Sequence, residues 1–163
     1  MAEVPVAEVP VTLAELRSAG IDYLARREHS RLELRRKLGK RFRGREIEEG
    51  LVDAAVEALA EAGLQSDERC AEAYIHARVS RGQGPMRVRA ALREVGLSGE
   101  WVDLLLEAEE DQWPERLEAL CQRRFGDAPP ADRREWTRRA RFLAGRGFPE
   151  SLVVAVLGTP PGQ

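Results

Sequence analysis

Three times along this chain a helix-periodic run ends in a glycine followed at once by a large apolar residue: Gly63-Leu64, Gly96-Leu97 and Gly147-Phe148. A glycine there supplies the left-handed turn that satisfies the last carbonyls of a helix, and the apolar residue packs back on the final turn. Starts are marked as plainly as stops. Thr12-Leu13-Ala14-Glu15 and Ser30-Arg31-Leu32-Glu33 are capping boxes, Val11 and Leu16 are spaced for a hydrophobic staple, and Pro85 suits a first helical turn. Joining starts to stops through the apolar periodicity predicts helices from Leu13 to about Arg27, from Ser30 through Phe42, and from about Arg45 to Ala62. Six more are predicted at about 67–81, 85–95, 99–111, 114–125, 131–145 and 149–157. Aromatic residues make up only 6% of the chain while Leu, Ala, Glu and Arg dominate, so strands are not expected. The fold class predicted is all-α.

Nine helices invite a search for repetition. Leu34-Arg35-(x)2-Leu38 lies over Val88-Arg89-(x)2-Leu92 at an offset of 54, and Arg89-(x)2-Leu92-(x)3-Gly96-Leu97 lies over Ala140-(x)2-Leu143-(x)3-Gly147-Phe148 at an offset of 51. Three tandem three-helix repeats are therefore expected, over 12–63, 64–111 and 112–158. The Pro-containing segment MAEVPVAEVPV at 1–11 reads as a flexible arm, and 159–163 as a tail.

Charge follows the same partition. The net charge of −2 conceals large local charges. Residues 26–45 carry a net +8 and 46–73 a net −8; 74–93 hold five arginines and no acid, 94–118 a net −8, and 119–149 a net +5. The middle helix of each unit is basic and its neighbours are acidic. On each basic helix the cations flank an apolar stripe instead of interrupting it: Arg31, Arg35, Arg36 and Lys40 beside Leu34, Leu38 and Phe42; Arg89 and Arg93 beside Val88, Leu92 and Val95; Arg134, Arg138 and Arg141 beside Trp136, Ala140 and Leu143. Two readings stand. Such faces can be solvated and paired with the acidic helices next door, or, because stacked repeats bring equivalent helices to one side, they can merge into a strip for an extended anionic partner. Of 26 basic residues only Lys37 and Lys40 are lysines, and arginine favours bidentate contact with phosphate or carboxylate. The candidate contact residues are Arg27, Arg31, Arg35, Arg36, Lys37 and Lys40; Arg78, Arg81, Arg87, Arg89 and Arg93; and Arg138, Arg141 and Arg146. With no base-reading motif, contact with single-stranded or double-stranded DNA would run through the phosphate backbone.

Catalysis finds little to work with. No phosphate loop, dinucleotide fingerprint or nucleophile elbow is present, and Gly82-Gln83-Gly84-Pro85 reads as a helix break. His29 stands just before a cap. His76 and Cys70 are six residues apart on one helix, so their side chains diverge by about 240°. Cys70 with Ala73, Tyr74 and Ala77, and Cys121 with Leu117, Leu120 and Phe125, follow helical spacing and read as buried core thiols. No enzyme activity, cofactor or metal is expected. No apolar run is long enough for a membrane span and no signal peptide is evident, so a cytosolic monomer is expected.

Four blocks of residues resemble the RecX family of bacterial recombination regulators. Tyr23-Leu24-(x)2-Arg27-Glu28-His29-Ser30-(x)2-Glu33-Leu34-(x)2-Lys37-Leu38 is similar to the family's opening signature, and Gly63-Leu64-Gln65-Ser66-Asp67-Glu68-Arg69-Cys70-Ala71-Glu72-Ala73-Tyr74 to its entry into the second repeat. Arg81-Gly82-Gln83-Gly84-Pro85-(x)2-Val88-Arg89-(x)2-Leu92-(x)3-Gly96-Leu97 resembles its central motif, and Arg141-Phe142-Leu143-(x)2-Arg146-Gly147-Phe148 to Leu157 its closing one. The resemblance covers about 12–158. It implies an elongated, curved array of three units lying in the groove of a RecA filament and inhibiting ATP hydrolysis, strand exchange and co-protease function, hence regulating DNA repair and the SOS response. Cys70 stands where the family usually has an aromatic, a packing change, and 98–135 match only loosely. The alternative is a helical protein that binds DNA independently of sequence and acts without RecA.

Overall fold

The structure, a computed structural model, describes residues 9–162. Residues 1–8 of the expected arm and residue 163 of the expected tail lie outside the described residues. Among the described residues the helices are α1 (Leu13–Leu24), α2 (Arg31–Arg41), α3 (Leu51–Glu61), α4 (Asp67–Ser80), α5 (Pro85–Glu94), α6 (Glu100–Glu107), α7 (Trp113–Phe125), α8 (Arg133–Gly145) and α9 (Glu150–Leu157), with a 3-10 turn at Glu110–Gln112 and no strand.

The terminal chemistry is as read. Thr12 Oγ1 accepts the Glu15 N–H while Glu15 accepts the Thr12 N–H, and Ser30 and Glu33 repeat the exchange at α2. At all three glycine stops the glycine has positive φ and the apolar residue after it donates five residues back: Leu64 to Leu59, Leu97 to Leu92, Phe148 to Leu143. Each of those three acceptor leucines is fully buried, so the stop that ends a helix also fixes a core position.

The chain forms two compact units, one up to Cys70 and one from Ala71. In the first, α1, α2 and α3 pack around Val11, Leu16, Ala19, Leu34, Leu38, Ala55, Val56 and Leu59, with Phe42, Ile47 and Leu51 against them. Burying each of the leucines and valines among them contributes roughly 1.5–3 kcal/mol. In α1, Leu16 and Ala19 turn inward while Leu13 and Ile21 are exposed. In the second unit α7 and α8 both pack on α9, with Trp113 edge-on to Phe148 and Phe125 edge-on to Phe142.

Two helix boundaries and the arm depart from expectation. α3 starts at Leu51, not near Arg45, because Gly50 is left-handed (φ 79°) and the segment before it serves another purpose. Arg45 donates to the Val9 carbonyl and pairs with Glu15 at 2.8 Å, and the Glu46 carbonyl accepts the Val11 N–H at 2.9 Å. Residues 9–11 are thus tied to the first unit instead of belonging to a flexible arm. α6 ends at Glu107, not at 111. Glu107, Glu109, Glu110 and Asp111 are disfavoured at the negative end of a helix dipole, and Pro114 cannot continue the hydrogen-bond ladder.

Candidate functional site

The four motif blocks meet in pairs. In the first unit, the loop entering α2 packs against the segment entering α4. Asp67 Oδ1 accepts both the Arg31 N–H (2.9 Å) and Gln65 Nε2 (2.8 Å), and Gln65 Nε2 also donates to the His29 carbonyl (3.2 Å). Arg69 pairs with Glu28 at 3.0 Å and donates to the Gly63 carbonyl. The Cys70 thiol lies 3.9 Å from Glu33 and is pushed up to about 12 by burial, with Glu33 acting in the same direction. His29, expected as an ordinary polar residue outside a cap, is buried against Tyr23 with Nδ1 3.0 Å from the Arg27 carbonyl. Burial pushes its imidazole below the usual range, opposed by the Arg27 carbonyl.

The second joint lies in the second unit. The Gly84 N–H donates to the Arg146 carbonyl (2.8 Å) and the Met86 N–H to the Gly147 carbonyl (3.0 Å), while the Arg146 guanidinium donates to the carbonyls of Arg81 and Gly82. Gly84 is extended (φ −87°), so no backbone strain demands glycine there. A Cβ would stand 2.6 Å from the Gly147 carbonyl group, and a Cβ on Gly147 2.6 Å from the Arg87 nitrogen. The segment expected only to break a helix is a close backbone contact. Arg146, expected among the surface cations, instead clamps this joint.

The remaining candidate cations fall into two groups. Arg31 pairs with Glu57 (2.7 Å) and Arg35 with Asp53 (2.5 Å), both joining α2 to α3; Arg89 pairs with Asp103, joining α5 to α6. Arg27 pairs with Glu33 at 2.8 Å, and Arg138 stands 3.7 Å from Glu135. Arg31–Glu57, Arg35–Asp53 and Arg89–Asp103 are exposed on both sides and such pairs are worth about 0–1 kcal/mol each, whereas the Glu33 carboxylate beside Arg27 is nearly buried. Part of the alternation of charge is therefore spent between neighbouring helices. Lys37 and Arg78 lie over the rings of Tyr23 and Tyr74. Arg36 also has a partner of its own. Lys40, Arg81, Arg87, Arg93 and Arg141 are exposed and make no ion pair among the described residues.

Sequence reasoning missed Arg139, a buried arginine on α8. It pairs with Glu135 at 2.5 Å, donates to the Ala128 carbonyl at 2.9 Å and lies over the Phe125 ring. Its spacing from Glu135 and Leu143, four residues each way, was the available signal. The packing of the thiols also differs: Cys70 is buried with Ala71 and Ile75, while Ala73 and Ala77 are exposed, and Cys121 is only half-buried. Among the described residues no helix is long and apolar enough to cross a membrane, and no three His, Cys, Asp or Glu side chains converge as metal ligands.

Comparison with known proteins agrees with this architecture. Residues 66–106 match the family model for the second three-helix domain of RecX, and 110–157 that for the third. The chain is 44% identical over 140 residues to the regulatory protein RecX of Halorhodospira halophila, covering 86% of this chain and 84% of that one. It is 41% identical over 158 residues to the RecX of Pseudomonas savastanoi pv. phaseolicola, covering 95% and 99%. The crystal structure of RecX from Lactobacillus salivarius shares the fold, with a TM-score of 0.67 at 18% identity over 89% of this chain and 94% of that one.

Proposed function

This chain belongs to the RecX family of regulatory proteins, and from that membership we propose that it binds the RecA–DNA filament and restrains RecA, lowering ATP hydrolysis, strand exchange and co-protease function and so regulating DNA repair and the SOS response. The observation that carries this reading is 41% identity to a regulatory RecX protein over almost the full length of both chains. Its role is regulatory and not catalytic, and it acts in the cytoplasm as a monomer without a cofactor.

In this reading the chain is three repeats over 12–63, 64–111 and 112–158, and the exposed cations divide the labour. Lys40, Arg81, Arg87, Arg93 and Arg141, in no ion pair among the described residues, meet filament phosphates or acidic protein surface first. Arg31, Arg35, Arg89 and Arg138 exchange their internal carboxylates for partner groups at small cost, because exposed pairs are weak, while Arg27 contributes from its place beside the nearly buried Glu33. Arg36 and Lys37 add to the cations of the first unit, and Arg78 to those of the second. Engaging several filament protomers with separate repeats multiplies modest contacts into useful affinity.

The test is fluorescence anisotropy with labelled single-stranded DNA, bare and coated with RecA. Tighter binding to the coated strand at physiological salt is expected. Equal binding to both, falling with salt at about −0.7 in log–log slope per neutralised phosphate, would favour the reading in which the chain binds DNA without RecA.

A further inference from the structure

We propose that α6, together with the groove it forms beside α4, is a docking site for a basic amphipathic helical segment of a protein partner, distinct from the cationic surface. The apolar residues of α6 fall on two faces. Val102 and Leu106 are buried, as a helix needs in order to pack. Trp101 and Leu104 are on the other side, 38% and 59% exposed. Spacing of three and four residues puts Trp101, Leu104, Leu105 and Ala108 on one strip. Leu105 and Ala108 continue that strip into a groove of about 360 Å³ whose other wall is Ile75, His76 and Val79 of α4. A large aromatic and a leucine held in water next to an apolar groove mark an interaction surface more often than an isolated exposed residue does.

The surroundings select the occupant. The strip is edged by Glu72 and, within the 94–118 stretch of net −8, by Glu100 and Glu107, none in an ion pair among the described residues. That field repels phosphate, so DNA does not fit. The first eight residues of the chain contain Glu3 and Glu8 and no basic side chain, so they are no better matched. Lysine or arginine beside apolar anchors is matched on both counts, and anchors at helical spacing suit a groove of this kind. One donor at the groove, Arg116 Nη1, is buried without a partner, although the same guanidinium pairs through Nη2 with Glu109 at 2.5 Å.

This site does not depend on the RecA reading, and each can fail alone. The test uses the full chain and a fluorescein-labelled 18-residue peptide of leucine and lysine at helical spacing, with a scrambled peptide of the same composition. The ordered peptide should bind, and the scrambled one at least tenfold more weakly. Leu104→Asp should weaken binding at least tenfold even though it adds negative charge, which attraction by charge alone would turn into tighter binding. Met86→Asp, at an equally exposed apolar residue elsewhere (61%), should leave binding within twofold. Circular dichroism checks that each variant is folded; should Leu104→Asp melt, Leu104→Ser gives the same reading. No binding of the ordered peptide at 100 μM, equal binding of the scrambled one, or undiminished binding to the folded Leu104 variant would overturn the proposal.

Discussion

Replacing Gly84 by alanine should destabilise the second unit far more than an alanine at any exposed glycine. The backbone at Gly84 is already extended (φ −87°, ψ 175°), so the change costs nothing in conformation and tests contact alone. The added methyl would stand 2.6 Å from the carbonyl carbon and oxygen of Gly147 and 2.8 Å from Phe148 Cγ, against ordinary contact beginning near 3.4 Å. Backbone and a buried ring oppose it, so the two segments must part by several tenths of an ångström. Parting them lengthens the Gly84–Arg146 and Met86–Gly147 hydrogen bonds, at about 1 kcal/mol each, and the charged bonds from Arg146, at about 1.5–3 kcal/mol each. Partial relaxation leaves a loss of about 2–4 kcal/mol. Urea unfolding followed by tryptophan fluorescence reads this directly, since Trp113 is buried against Phe148. A loss under 0.5 kcal/mol would refute the close contact between these motifs. Gly39→Ala is the matched control: it lies in α2 with nothing within 4 Å of its would-be Cβ, and should stabilise by about 1 kcal/mol.

Other outcomes follow from single residues. Leu143→Ala should cost about 2–5 kcal/mol by urea unfolding, because the residue is fully buried and anchors the Phe148 stop. His29 has its imidazole lowered from 6.5 by burial, so the unfolded chain takes up a proton first. Stability is full above pH 6.5 and declines as pH falls below it, a loss that His29→Gln should flatten in melting curves. Glu15, held at about 2 by Arg45 and the Thr12 N–H, adds stability above pH 4.5 that is lost as pH falls toward 2, and Glu15→Gln should remove that second acid limb. Arg87→Glu with Arg93→Glu should leave the melting temperature within a few degrees and weaken filament binding in the anisotropy assay.

What could be read from sequence was local. Capping boxes and glycine stops act across three to five residues, so the helix termini they mark and the all-α class were visible without the fold, whereas the start of α3 and the end of α6, which carry no such signal, were not. Contacts between distant segments were not. Gln65 reaches the His29 carbonyl over 36 residues, and Arg146 reaches Gly82 over 64. Nothing in either neighbourhood states the distance, so His29 read as a loop residue and Arg146 as a surface cation. Glycine at 84 is an ordinary N-cap residue before a first-turn proline, but it also leaves room for a backbone to approach closely, which the Gly147 carbonyl does. The charge pattern was legible as a pattern but not as pairs. Arg31, Arg35 and Arg89 share spacing and sign with Arg87 and Arg93, and only the positions of Glu57, Asp53 and Asp103 tell them apart. The motif blocks that marked the family serve largely as joints between segments, which leaves contact with a partner to the less distinctive cations around them.

The regulatory reading is tested most directly by titrating the full chain into RecA assembled on single-stranded DNA and following steady-state ATP hydrolysis. Hydrolysis should fall to a low plateau as the chain saturates the filament, with the Arg87→Glu and Arg93→Glu double variant needing several-fold more protein. Undiminished turnover at saturating protein would contradict it.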